Sequence, residues 1–113
     1  MTEPRLRTSL WVSAQVRRCN IASIPIVVAR HGDNDAGLVI VKLDRLDGTC
    51  GVVARTRNLD GNIVWRSISD GSAVSNLQAE TIIEREVGFD PDVWVLVVED
   101  PNGNFELDAP LAD

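Results

Sequence analysis

The 113-residue chain is short of the residues that most often carry recognisable chemistry: it has one His, two Cys and one Met. Two cysteines cannot build a disulfide scaffold, and Cys19 and Cys50 form no Cys-x-x-Cys pair, so buried free thiols are expected. One His and two distant Cys also lack the clustered ligand spacing of structural zinc. No Gly-rich phosphate loop of either standard spacing occurs, which removes those routes to a nucleotide. The longest apolar runs (Ile24 to Ala29, Leu38 to Val41, Val93 to Val98) fall far short of the roughly 18 residues that span a bilayer. The N-terminal Met-Thr-Glu-Pro-Arg-Leu-Arg has no apolar core of a secretory signal, which predicts a cytoplasmic protein. Internal repeats and low-complexity stretches are likewise missing.

What is present is an ordinary globular composition, with 44% hydrophobic and 25% charged residues. A chain of this length is read as one domain, residues 1–113, able to bury about 65% of its unfolded surface. Residues 1–8 and 108–113 read as loose termini. The net charge of −6 disfavours nucleic acid and anionic lipid as partners. That sum conceals a division. Residues 1–30 hold five Arg and one Glu, whereas residues 90–113 hold seven acids and no base. A basic entry and an acidic exit can meet within one chain or between two copies.

Hydrophobic periodicity places the elements. Val12, Val16 and Cys19 recur at helical spacing, predicting a helix over 12–23 that Pro25 ends. Strands follow at about 26–31, 38–46, 49–57 and 62–68, with Asp47-Gly48 and Asp60-Gly61 as hairpin turns. The continuous apolarity of 38–41 marks a central strand covered on both faces. Asp70-Gly71-Ser72 ends this meander. Ser75-x-x-Gln78 is a capping box for a second helix over 76–87, with Gly88 as its C-terminal cap. A further strand covers 93–98, and Asn102-Gly103 can turn it into a short edge at Phe105 to Leu107. The expected fold is therefore α+β, a four- to five-stranded, mainly antiparallel meander with two helices on one face.

Three strings stand out: Leu10-Trp11-Val12-Ser13-Ala14 followed by Arg17-Arg18; Val41-Lys42-Leu43 with Leu46-Asp47-Gly48-Thr49-Cys50; and Asp90-Pro91-Asp92-Val93-Trp94-Val95. On these the chain resembles, over nearly its whole length, a small bacterial family found mainly among alphaproteobacteria and defined only as a domain of unknown function. The loop His31-Gly32-Asp33-x-Asp35-x-Gly37 matches the family style, with His31 where Arg is more frequent. The resemblance implies no activity, substrate or cofactor.

Several constellations are candidates for chemistry. His31 could serve as a base if Asp33 or Asp35 oriented it, although turns collect such residues for conformational reasons. A Cys50 and His31 nucleophile pair lacks a third orienting group. Asp33-Asn34-Asp35-Ala36-Gly37 fails as a calcium loop, because the sixth and twelfth positions are Leu38 and Asp44. Glu84-Arg85-Glu86 lacks the further Glu residues of a pyrophosphohydrolase box. Arg17 and Arg18 suit a carboxylate, phosphate or partner backbone. A basic strand face bearing Lys42, Arg45, Arg55 and Arg57 with Trp65 has too few aromatics for single-stranded nucleic acid. Trp11, Trp65 and Trp94 are expected in the core, with an interface or pocket wall as the alternative.

The leading expectation is a non-catalytic binding or interaction module without cofactor or metal, with a second copy of the chain as candidate partner. The competing expectation is a small enzyme or anion-binding protein using Arg17, Arg18, His31, Asp33 and Asp35 around one pocket. Convergence of those five side chains separates the two.

Overall fold

The computed structural model describes residues 7–69 and 73–112, so the lead-in, the Asp70-Gly71-Ser72 turn and Asp113 lie outside the described residues. Helices α1 (Thr8–Ile21) and α2 (Asn76–Phe89) accompany β1 (Ile26–Arg30), β2 (Val39–Asp44), β3 (Thr49–Arg57), β4 (Ile63–Ser67), β5 (Val74–Ser75), β6 (Trp94–Glu99) and β7 (Leu111–Ala112). The α+β class and both helices agree with the sequence reading; the sheet and the placement of the helices differ from it.

The strand order is β1-β6-β2-β3-β4-β7, with β5 paired to β3. Only β2, β3 and β4 form the expected meander. Strand β6 enters between β1 and β2, parallel to β2 with Val41 opposite Leu96, and antiparallel to β1 with Val27 opposite Val97. The sheet is therefore mixed, and β1 is one of its edges. Burial explains the order. Val39 to Leu43 and Trp94 to Leu96 are buried on both faces and claim the centre, whereas the middle of β1 is exposed.

A central strand that is apolar on both faces needs cover on both, and the helices accordingly lie on opposite faces rather than on one. Val39, Val41, Leu43, Leu96 and Val98 pack with Trp11, Val12 and Cys19 of α1. Their alternate neighbours Ile40, Val93 and Val95 pack with Ala79 and Ile83 of α2.

Helix α1 begins four residues before the apolar stripe, because the loop after β1 completes its N-terminus. The Thr8 and Ser9 amides donate to the carbonyls of Asp35 (3.4 Å) and Asn34 (3.0 Å), and the Thr8 hydroxyl donates to Gly37 O (3.1 Å). At its other end Ser23 takes the left-handed conformation (φ 59°), and the Ile24 amide donates to Cys19 O at 2.8 Å, a Schellman closure without glycine. Helix α2 opens on the expected capping box, Ser75 accepting from the Gln78 amide and the Gln78 side chain accepting from the Ser75 amide. It runs past Gly88 to Phe89, so Gly88 is an interior helical residue and Asp90 is the cap.

Lys42 fastens α2 to the sheet. Its ammonium is buried (side chain 7% exposed) and donates to Glu80 at 2.6 Å and to Asn76, while Glu80 is half exposed. Removing either partner therefore has unequal consequences. Lys42→Met leaves a carboxylate that water can solvate and is expected to cost less than about 1 kcal/mol, whereas Glu80→Ala strands a buried ammonium and is expected to cost about 2 kcal/mol. Urea unfolding of both variants checks the order.

The last third of the chain corrects two expectations. Phe105 to Leu107 is not an edge strand but part of a strap crossing the α1 face of the sheet, with Phe105 buried and Leu107 and Ala109 packed on the core. Residues 108–112, read as loose, are held: the Trp65 amide donates to Pro110 O at 2.9 Å, and β7 pairs parallel with β4. No helix among the described residues is long and apolar enough to cross a membrane.

Candidate functional site

The acidic strap is met by cations of the same chain. Arg18 donates to Glu106 O at 2.9 Å and lies over the Phe105 ring; Arg45 pairs with buried Asp100 at 3.2 Å. Asp100 also accepts the Asn104 and Phe105 amides (2.6 and 3.0 Å), which fixes the start of the strap. The Asp108 carboxylate is the densest node. It accepts the indole N–H of Trp11 (2.9 Å) and of Trp65 (2.8 Å) and a fork from Arg55, whose closest approach is 2.9 Å. The Arg55 guanidinium also sits 4.4 Å from the Trp11 ring centroid. Burial alone would raise the Asp108 pKa, but the hydrogen bonds from Arg55, Trp65 and Trp11 outweigh it and hold the carboxyl below its usual range. With both indole N–H groups and the Arg55 fork spent on one carboxylate, this cluster is a clasp.

The open surface lies on the other flank of α1. Residues Ser9, Val12, Ser13, Val16, Arg17 and Asn20 follow helical spacing down one side of α1. Opposite them stands Val28 of β1, and His31 and Trp94 close one end, leaving a groove of about 520 Å³. That volume falls in the range of small-molecule and peptide sites, about 300–1,000 Å³. Its floor is apolar and its rim polar. No acid lines it, and Arg17, on the rim, has no hydrogen-bond or ionic partner among the described residues.

The end wall is built by close approach. The Trp94 indole N–H donates to Asp33 O at 2.7 Å, the Asp33 amide donates to Asp92 O at 2.9 Å, and the Trp94 amide donates to Leu38 O at 2.8 Å. His31 stacks on Trp94 with ring centroids 4.0 Å apart, and its Nε2 is 2.8 Å from Asn34 Oδ1.

Of the five residues singled out from sequence, Arg17 and His31 share this groove. The other three go elsewhere. Arg18 points to the strap, Asp33 turns its carboxylate onto the amides of Asp35 and Ala36 (3.1 and 2.9 Å), and Asp35 pairs with exposed Arg7 at 3.5 Å. The five-residue pocket of the competing expectation is not formed. Cys50 belongs to the α2-side core, on the opposite face from His31, so the Cys50 and His31 pair is not formed either. Both thiols are buried and pushed up in pKa, chiefly by that burial, away from the reactive thiolate. Among the described residues no group of three His, Cys, Asp or Glu side chains is placed to hold a metal.

Val28 was missed as a site residue, and Trp94 takes the pocket-wall role that its sequence offers only as the alternative to core. Each reads as a core strand position, and only the β1–β6 pairing, invisible to local pattern, brings them beneath α1.

Residues 6–108 match the family DUF1491, described as a protein of unknown function. A crystal structure of a DUF1491 family protein from Caulobacter crescentus CB15 superposes with a TM-score of 0.82 at 33% identity, covering 96% of this chain and 100% of that one. An NMR structure of a DUF1491 family protein from the same organism gives 0.83 at 33% identity, covering 98% and 100%. The solution structure of a protein from A. tumefaciens, 23% identical, shares the fold with a TM-score of 0.75 over 96% of this chain and 100% of that one. No curated protein matches. The match across 6–108 and the two Caulobacter structures make this chain a member of the DUF1491 family, whose function is unknown.

Proposed function

We propose that the protein is a non-catalytic interaction module that engages a partner through the groove between α1 and β1. One observation carries this reading: an apolar groove whose rim, among the described residues, holds an unpaired cation and no acid, in a chain whose net charge is −6. Elsewhere the cations Arg18, Arg45 and Arg55 are used to clasp the strap. Arg17 has no such duty among the described residues, which leaves it to a partner. Catalysis has less support, because the thiols are buried and His31 leans on an amide rather than on a carboxylate that would orient it as a base.

The test is selection of a displayed random-sequence peptide library on the folded chain, followed by amide chemical-shift mapping of the chain with a selected peptide. Shifts concentrated at Ser13, Val16, Val28, His31 and Trp94, abolished by Val16→Asp in a folded variant, are expected. Failure to select any peptide, or shifts confined to the α2 face, overturns the reading.

A further inference from the structure

The groove has an unusual wall. Strand β1 is hydrogen-bonded on one side only, to β6, and nothing among the described residues pairs with its other side. The Glu99 amide donates to Pro25 O at 3.0 Å, which makes Pro25 and Glu99 an inward-bonded pair. Antiparallel ladders alternate, so with Ile26 opposite Val98 and Val28 opposite Leu96, the N–H and C=O groups of Ile26 and Val28 face outward. These are open pairing positions along the mouth of the groove.

Edge strands are commonly blunted by a lysine, an inward charge, a proline or a covering loop. From Ile26 to Ala29 β1 has no charge and no proline, and Val27 and Val28 are 62% and 40% exposed. A register shift between Val28 and Arg30 limits the open ladder to its first half, beside the groove.

Resting on the groove reading above, we infer that the partner is an extended acidic-apolar peptide segment that adds to the sheet as a strand along β1. Its backbone pairs with Ile26 and Val28. Every second side chain of such a strand points to the α1 side, where Val12, Val16, Val28 and Trp94 receive apolar groups. A carboxylate on the segment meets Arg17 and the imidazole end of the groove. Charge selects this occupant over a second copy of the chain: Pro25 to Arg30 carry no acid to offer Arg17, and Asp33 and Asp35 beyond them are held by the loop amides and by Arg7.

The discriminating experiment takes a library-selected peptide and replaces its backbone amides singly by N-methyl amides, leaving the protein unaltered. Alternate N-methyl substitutions are expected to weaken binding about tenfold while the intervening ones do not, and the Ile26 and Val28 amides of the protein gain hydrogen-exchange protection. The selected sequences are expected to alternate apolar residues and to carry an acid, and Arg17→Glu, a solvent-facing change, to weaken binding about fivefold. A peptide that shifts the groove amides yet tolerates every N-methyl group overturns strand addition while leaving the groove as the interaction site. Peptide-free dimerisation that protects the same two amides also overturns it, assigning the edge to a second copy. An absence of any selected peptide removes the groove reading itself.

Discussion

Asp108→Ala is expected to cost about 3 kcal/mol and to release the strap from the α1 face of the sheet. The carboxylate serves two indole N–H groups and a guanidinium at once. Its removal leaves three donors without a protein partner, two of them on side chains that are 5% and 0% exposed. Trp65 cannot turn to water without disturbing the core it fills. Urea unfolding followed by tryptophan fluorescence checks the figure; a loss under about 1 kcal/mol would show that the clasp is dispensable. Arg55→Ala and Asp108→Ala combined should cost less than the sum of the singles, since each removes the same pair.

The clasp also sets a pH dependence. The Asp108 carboxyl is held below its usual range, so its ionised form is the one the fold binds better. The stabilisation is complete above the unfolded-state value, near 3.9, and is lost as pH falls through the lower folded value. Asp108→Asn should therefore lower Tm most at neutral pH, and the gap to the parent chain should close on acidification below about pH 4. A gap that widens in acid would reverse the assignment.

Local chemistry in the sequence anticipates local structure here. The Ser75 and Gln78 box and the Asp47-Gly48 and Asp60-Gly61 turns are present, and the double-sided burial expected of 38–41 holds for Val39 to Val41 but not for exposed Leu38, because each depends on neighbours within a few positions. The strand order was not legible. An apolar run says that a strand is covered on both faces, and says nothing of whether β1 or β6 lies beside it. The same limit hid the helix placement, since two amphipathic helices satisfy one face or two equally well until the central strands are identified. Asp108 reads as loose because it stands among Pro and small residues, while its partners lie 43, 53 and 97 positions away. At the groove, Arg17 and His31 were visible as polar residues with uncertain duties. Trp94 and Val28 were masked by their resemblance to core.

Glycine substitutions separate the residues that build the groove from those that merely lie in regular structure. A Cβ at Gly32 would stand 2.3 Å from Asp92 O, 2.5 Å from Trp94 Cδ1 and 2.7 Å from the Trp94 amide, and one at Gly37 would stand 2.5 Å from Asp92 O. Asp92 lies in the turn that leads into β6 and Trp94 opens that central strand, whose backbone and buried ring cannot yield, so the loop must lift. Lifting breaks the bonds from Trp94 to Asp33 and from Ser9 to Asn34, which close the groove and complete the start of α1. Gly32→Ala is expected to cost about 3 kcal/mol, to unstack His31 from Trp94 and to weaken any groove-bound peptide even where the fold survives. Gly88 is the opposite case. As a C-terminal cap in the left-handed region it would resist alanine; inside α2, with nothing within 4 Å of an added Cβ, Gly88→Ala is expected to stabilise by up to about 1 kcal/mol. Thermal unfolding of the two variants should move Tm in opposite directions, and a loss at Gly88 would restore the earlier helix end that its sequence suggests.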